Sequence, residues 1–158
     1  MATANAATTF LENRLLSLIF KNNAASFSTP GDSIYVGLAT AVSNFNDSTG
    51  ETDEPTITEA TFGDYVRQQV TAANWTLTSD TTEAQTIKNA ANIEFPASTG
   101  TSNTITHVFI ATVASGTSLD TEGSGGNVLF IGALDASKVI ATGDIFRINT
   151  NNLTIELK

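Results

Sequence analysis

The sequence predicts an all-β fold, a β-sandwich of jelly-roll type with a single N-terminal helix, and three observations carry that prediction. Thr supplies 26 of the 158 residues, and nine Phe supply bulk for a core; Thr favours strands and gives them polar faces without charge. Apolar residues fall in short runs separated by Gly, Pro, Asn and Asp, the punctuation of strands and turns. The third is the stretch from Thr104 to Val113, which is β-branched and aromatic and contains no Gly, Pro or charge. Its alternation puts Thr106, Val108 and Ile110 on one face and Ile105, His107, Phe109 and Val113 on the other. Apolar residues on both faces predict a central strand.

Taken in order, residues 1–8 are small and polar and read as an N-terminal arm, whose natural partner is another chain. Thr9 to Asn23 reads as a helix, with Thr9 and Glu12 as a capping box and Asn22-Asn23 as a stop. Leu11, Leu15, Leu18 and Ile19 form its apolar stripe, and Leu16 and Phe20 widen it. Two arrangements fit so broad a stripe: a helix tucked deeply into its own domain, or one held between its domain and a neighbour. Leaving Leu16 and Phe20 in water forgoes roughly 1.5–3 kcal/mol each. Phe10, Leu11, Leu15, Leu16 and Phe20 are therefore the candidate assembly contacts.

Pro30-Gly31-Asp32 turns into a first strand, Ser33 to Thr40. The acidic stretch from Ala41 to Gly63 reads as an extended surface loop. Short strands follow at Tyr65 to Val70 and at Asn74 to Leu77, and Ile87, Ile93 and Phe95 belong to one or two more. After the central strand, Ser115 to Asn127 is a Gly-rich turn region. Val128 to Leu134, Lys138 to Ile140, Ile145 to Ile148 and Leu153 to Leu157 complete the set, the last two as a closing hairpin. About eight or nine strands in a single domain, residues 9–158, is the expected organisation.

Composition narrows the functional classes. Net charge is −9, and seven carboxylates lie between Lys21 and Arg67 with no basic residue among them. Such a chain is repelled by nucleic-acid phosphates and anionic membranes, so neither is an expected partner. There is no cysteine and a single histidine, which rules out disulfides, thiolate zinc sites and histidine clusters. No signal peptide or membrane span is expected. His107 lies in mid-strand among apolar residues and reads as a core or interface histidine with one hydrogen bond rather than a triad member. Asp47, Glu51 and Asp53 alternate somewhat like a calcium loop, but Gly50 is misplaced and Thr58 stands where the closing Glu belongs. Gly123-Ser124-Gly125-Gly126 lacks the residues of a phosphate-binding loop. No catalytic, metal or cofactor site is expected, and Trp75 is assigned to the core.

Several segments in order and at matching spacing carry a family resemblance. They are Leu11-Glu12-Asn13 with Leu15-Leu16, Ile34-Tyr35-Val36-Gly37-Leu38-Ala39-Thr40-Ala41, Gly63-Asp64-Tyr65-Val66-Arg67-Gln68 and Asn74-Trp75. Phe95-Pro96-Ala97, Thr106-His107-Val108, Gly143 to Ile148 and Leu153 to Leu157 continue the series. The chain resembles small bacteriophage virion proteins of the tail-fibre-like or decoration type. It departs from them at Thr101-Ser102-Asn103 and in a longer 115–127 loop. The resemblance implies a structural, non-enzymatic role without cofactor, in a virion assembled in the host bacterial cytoplasm. A capsid decoration (cement) protein stabilising the shell is the expected role; the alternative is a tail or tail-fibre component, including a host-adhesion module. Expected partners are further copies of the chain, with a trimer preferred, and the major capsid protein or tail proteins. The rival from another class is a carbohydrate-active β-sandwich enzyme, for which one Trp and two Tyr offer few aromatic platforms.

Overall fold

The computed structural model describes residues 5–7, 11, 15–16, 19–20, 34–43, 56–78, 86–115 and 128–156. The predicted helix boundaries, Phe10, the Gly-rich turn beyond Ser115 and most of the acidic loop lie outside these residues. Leu11, Leu15, Leu16, Ile19 and Phe20 are helical.

The strands are all antiparallel. The largest sheet runs in the order β1 (Asn5–Ala7), β9 (Val128–Ile140), β8 (Asn103–Ala111), β2 (Tyr35–Ser43) and β3 (Thr56–Glu59), and β4 (Gln68–Gln69) also pairs with β2. The second sheet joins β10 (Arg147–Ile148) to β7 (Ile93–Glu94). The third is β11 (Thr154–Glu156), β6 (Thr86–Asn89) and β5 (Trp75–Thr78). A 3₁₀ turn, Ala72–Asn74, leads into β5.

The stretch with apolar residues on both faces is β8, and it is central, with β9 on one side and β2 on the other. Directly opposed residues share a face. Val36, Ile110 and Phe130 therefore line up on one face with Leu38 and Val108; Gly37, Phe109 and Ile131 line up on the other with Ala39. The first face meets the main core, where Val36, Leu38 and Val108 pack with Phe62, Ile93, Phe95 and Phe146. The second buries Ala39, Phe109, Ala111, Val128 and Ile131. Gly37 is required here: a Cβ on it would stand 2.1 Å from Cζ of Phe109, whose ring fills the space a side chain would need.

Ile105 departs from the predicted facing. It joins Val108 in the main core rather than sharing a face with Phe109. The ladder is irregular at this point: Ile105 opposes Lys138 but His107 opposes Ala133, two steps along β8 against five along β9, so the residues between Ala133 and Lys138 bulge out of it. The same bulge is why the sequence breaks into two apolar runs there while the chain makes one strand.

Two further expectations are corrected. The extended loop predicted from Ala41 to Gly63 contains β3, Thr-Ile-Thr-Glu, paired with β2 through Ile57↔Val42 and Glu59↔Ala39. Its single strong apolar residue is a weak sequence signal, and pairing with β2 supplies the rest. The closing hairpin does not form: β10 pairs with β7 and β11 with β6, in different sheets. Asn151 adopts a left-handed φ of 66° in the connecting turn, which sends the chain across to the other sheet. Asn89 holds that crossing. It is fully buried; its Nδ2 donates to the carbonyls of Ala91 (2.8 Å) and Asn149 (2.9 Å), and its Oδ1 accepts from the Leu153 N–H (2.9 Å).

A chain of rings ties the loops to the main sheet. Phe62 meets Tyr65 edge-on at 5.2 Å, Tyr65 stacks on Phe95 at 6.0 Å, and Phe95 meets Phe146 edge-on at 5.9 Å. Trp75 is half-buried against the core, as expected of it.

Candidate functional site

Among the described residues, a cluster of ionisable groups lies where β2 passes from β3 to β4. Neither edge strand pairs with β2 at Leu38, so its N–H needs another acceptor. The Tyr65 hydroxyl accepts it at 2.9 Å and donates onward to Glu59 Oε1 at 2.8 Å. Arg67 holds the same carboxylate with two hydrogen bonds, Nε to Oε1 at 2.8 Å and Nη2 to Oε2 at 2.9 Å, and Nη1 donates to the Val113 carbonyl at 2.9 Å. Its guanidinium also sits 5.1 Å from the centre of the Phe109 ring. Burial is the main cause that drives the Tyr65 phenol well above its ordinary range, and the neighbouring Glu59 charge adds to it. With Glu59 held by Arg67 and Tyr65 kept protonated, the cluster seals the gap in the ladder. It is a tie between strands, and Arg67 and Glu59 carried no such signal in the sequence because they are eight residues apart and in no regular element together.

His107 is half-buried, and burial lowers its pKa, so the ring is neutral near neutral pH. Its Nδ1 lies 2.8 Å from Thr106 Oγ1, the single hydrogen bond expected of it. Of the seven acidic residues between Lys21 and Arg67, Glu59 and Asp64 are described; Asp47, Glu51 and Asp53 lie outside the described residues. Among the described residues no group of three His, Asp or Glu side chains is placed to hold a metal ion, and no helix is long and apolar enough to cross a membrane.

The helical residues near the N-terminus divide into two sets. Leu11 is buried, packed with Ile110 and Leu129 and bordered by Trp75, Leu153 and Ile155. It anchors the segment at the junction of the large sheet and the β5–β6–β11 sheet. Leu15, Leu16, Ile19 and Phe20 face outward, with Leu16 54% and Phe20 78% exposed. On the neighbouring small sheet, Leu77, Ile87 and Ile155 form one cross-strand row, and Leu77 at its end is also exposed. Of the predicted contact residues, the structure therefore places Leu11 inside its own domain and leaves Leu15, Leu16 and Phe20 on the surface. The arm contributes β1, which pairs with Phe130, Ile131 and Gly132 of its own chain.

A family model described as podophage GP4 fiber I protein gp80 matches residues 6–156. That match defines the class, a structural protein of the bacteriophage virion of tail-fibre-like type. The chain belongs to the gp80 family, and its place is in the virion, assembled in the host cell. No curated protein matches it.

Proposed function

We propose that this protein is a fibre component of a podophage particle, without enzymatic activity, built from copies of itself and attached to other tail proteins. The observation that carries this reading is the match to a fibre family over nearly the whole chain. It favours the tail-fibre alternative over the capsid decoration role first expected. The large sheet and the two small sheets against its inner face make a sandwich-like module, the finer architecture that goes with this reading.

Contact between copies runs through the outward helical residues. A chain of net charge −9 meets another copy at least cost where charge is absent, and Leu15, Leu16, Ile19 and Phe20 provide such a surface. Burying Leu16 and Phe20 gains roughly 1.5–3 kcal/mol each. A trimer is the closed arrangement we favour.

Position in the particle is tested by gold labelling and quantitative gel analysis of purified virions. Label on the tail with a low copy number is expected; label over the shell with hundreds of copies would return the capsid reading. A separate expectation concerns assembly. The double variant Leu16→Glu/Phe20→Glu should remain folded, with the far-UV circular dichroism of the wild type, because both side chains are exposed in the single chain. Its mass by light scattering should fall to that of a monomer. Retention of the oligomer would show that copies meet elsewhere.

A further inference from the structure

The small sheet β5–β6–β11 is two-faced. Thr76, Lys88 and Thr154 line up across its strands on one face, a polar row suited to water. Leu77, Ile87 and Ile155 line up on the other, and such an apolar row is what an antiparallel sheet turns toward a covering layer. In the single chain that cover is incomplete. Among the described side chains of β5, β6 and β11 the buried one is Asn89, a polar residue; Ile87 and Ile155 are half-buried, and Leu77 is 67% exposed. Around the β7–β10 pair, by contrast, Ile93, Phe95 and Phe146 are buried in the main core.

The row starts at a fixed point. Ile155 borders the cluster in which Leu11 packs with Ile110 and Leu129, and from there the row runs out to Leu77 on β5, the edge strand of its sheet. The helical residues leave from the same point. Leu11 is inside, and exposure then rises from 37% at Leu15 to 78% at Phe20. Two apolar surfaces thus share an origin, and neither covers the other. If the helical residues lay along the row, Leu77 and Phe20 would both be buried.

We infer that the row Leu77–Ile87–Ile155 is the seat for Leu15, Leu16, Ile19 and Phe20 of a second copy. Two observations select that occupant. The stripe and the row are unmatched apolar surfaces of the same chain, so one kind of contact, repeated between copies, covers both. Neither set of residues includes a charged side chain, and for a chain of net charge −9 such surfaces are the least costly to join. The contact is head-to-tail, because the surface given differs from the surface received; such contacts close into a ring where the rotation allows, as in the favoured trimer. The inference rests on the reading that copies meet through the helical residues and adds the surface those residues meet.

The chain contains no cysteine, so introduced thiols report the contact directly. Phe20→Cys and Leu77→Cys, both at exposed positions, are co-expressed as separate full chains and mildly oxidised. A disulfide needs Cα atoms within about 7 Å, so the mixed pair should form at several times the yield of either self-linked pair. Leu77→Glu, folded by far-UV circular dichroism, should have the mass of a monomer by light scattering; the thiol pair decides alone where that variant is unfolded. The inference is overturned if Phe20→Cys links chiefly to itself, or if no mixed pair exceeds the self-linked yields. It is equally overturned if Phe20→Cys/Leu77→Cys closes its disulfide within one chain, or if folded Leu77→Glu keeps the oligomer. Each of these failures leaves the helical contact standing. That contact falls instead if Leu16→Glu/Phe20→Glu retains the oligomer.

Discussion

Arg67→Met is expected to lower folding stability by about 3 kcal/mol, the lower end of the cost of stripping one partner from a buried ion pair. The Arg67 side chain is 1% exposed and that of Glu59 25%. Met fills most of the volume over Phe109 but leaves Glu59 without its guanidinium and the Val113 carbonyl without its donor. Partial exposure lets Glu59 recover some hydration, which keeps the cost from rising further. For a chain of this length about 3 kcal/mol corresponds to a fall of roughly 6–12 °C in melting temperature. The control is the double variant Arg67→Met/Glu59→Leu, in which no charge is stranded; it should be more stable than the single variant. Denaturant titration of the three proteins checks this. A single variant within about 0.5 kcal/mol of wild type, the scatter of ordinary surface substitutions, would mean that the pair ties nothing.

Asn89→Ala is expected to cost about 3 kcal/mol as well, by a different route. It removes three hydrogen bonds at once, to Ala91, Asn149 and Leu153, and leaves those backbone groups to find water or go without. Because Asn89 is fully buried at the end of β6, the vacated volume also loses contacts. The loss should be local before it is global: amide exchange at Asn151 and Leu153, whose N–H groups bond to Asn89, should accelerate more than exchange in β8. Asn89→Asp keeps the acceptor for Leu153 but sets a buried carboxylate against the Ala91 and Asn149 carbonyls, so at neutral pH it should be no more stable than the alanine variant. Equal protection of the turn in wild type and Asn89→Ala would remove Asn89 from its role as the holder of the crossing.

Both expectations rest on polar residues that fold-level reading of the sequence passed over, and the reason is physical. A buried Asn or Arg has no periodicity; its burial depends on which distant backbone groups need partners. The N–H of Leu38 needs Tyr65 because β3 ends and β4 begins on either side of it. The crossing from β10 to β11 needs Asn89 because those two strands enter different sheets.

The sequence by itself determined the all-β class, the central position of the Thr104–Val113 stretch and the packing of Trp75 against the core. It also placed the apolar residues near the N-terminus and, through motifs spread over most of the chain, pointed to a phage virion protein. These are properties of local composition and alternation, which a strand carries wherever it is placed. Tertiary structure alone decided the pairings, β3 on the edge of β2 and β11 on β6 instead of β10, and the place of Ile105 in the main core. It also decided that Leu11 goes inside while Leu16 and Phe20 stay out, because one helical face cannot meet both the sheet junction and its opposite side. Pairing and sidedness depend on partners far away in the chain, and no run of neighbouring residues encodes them.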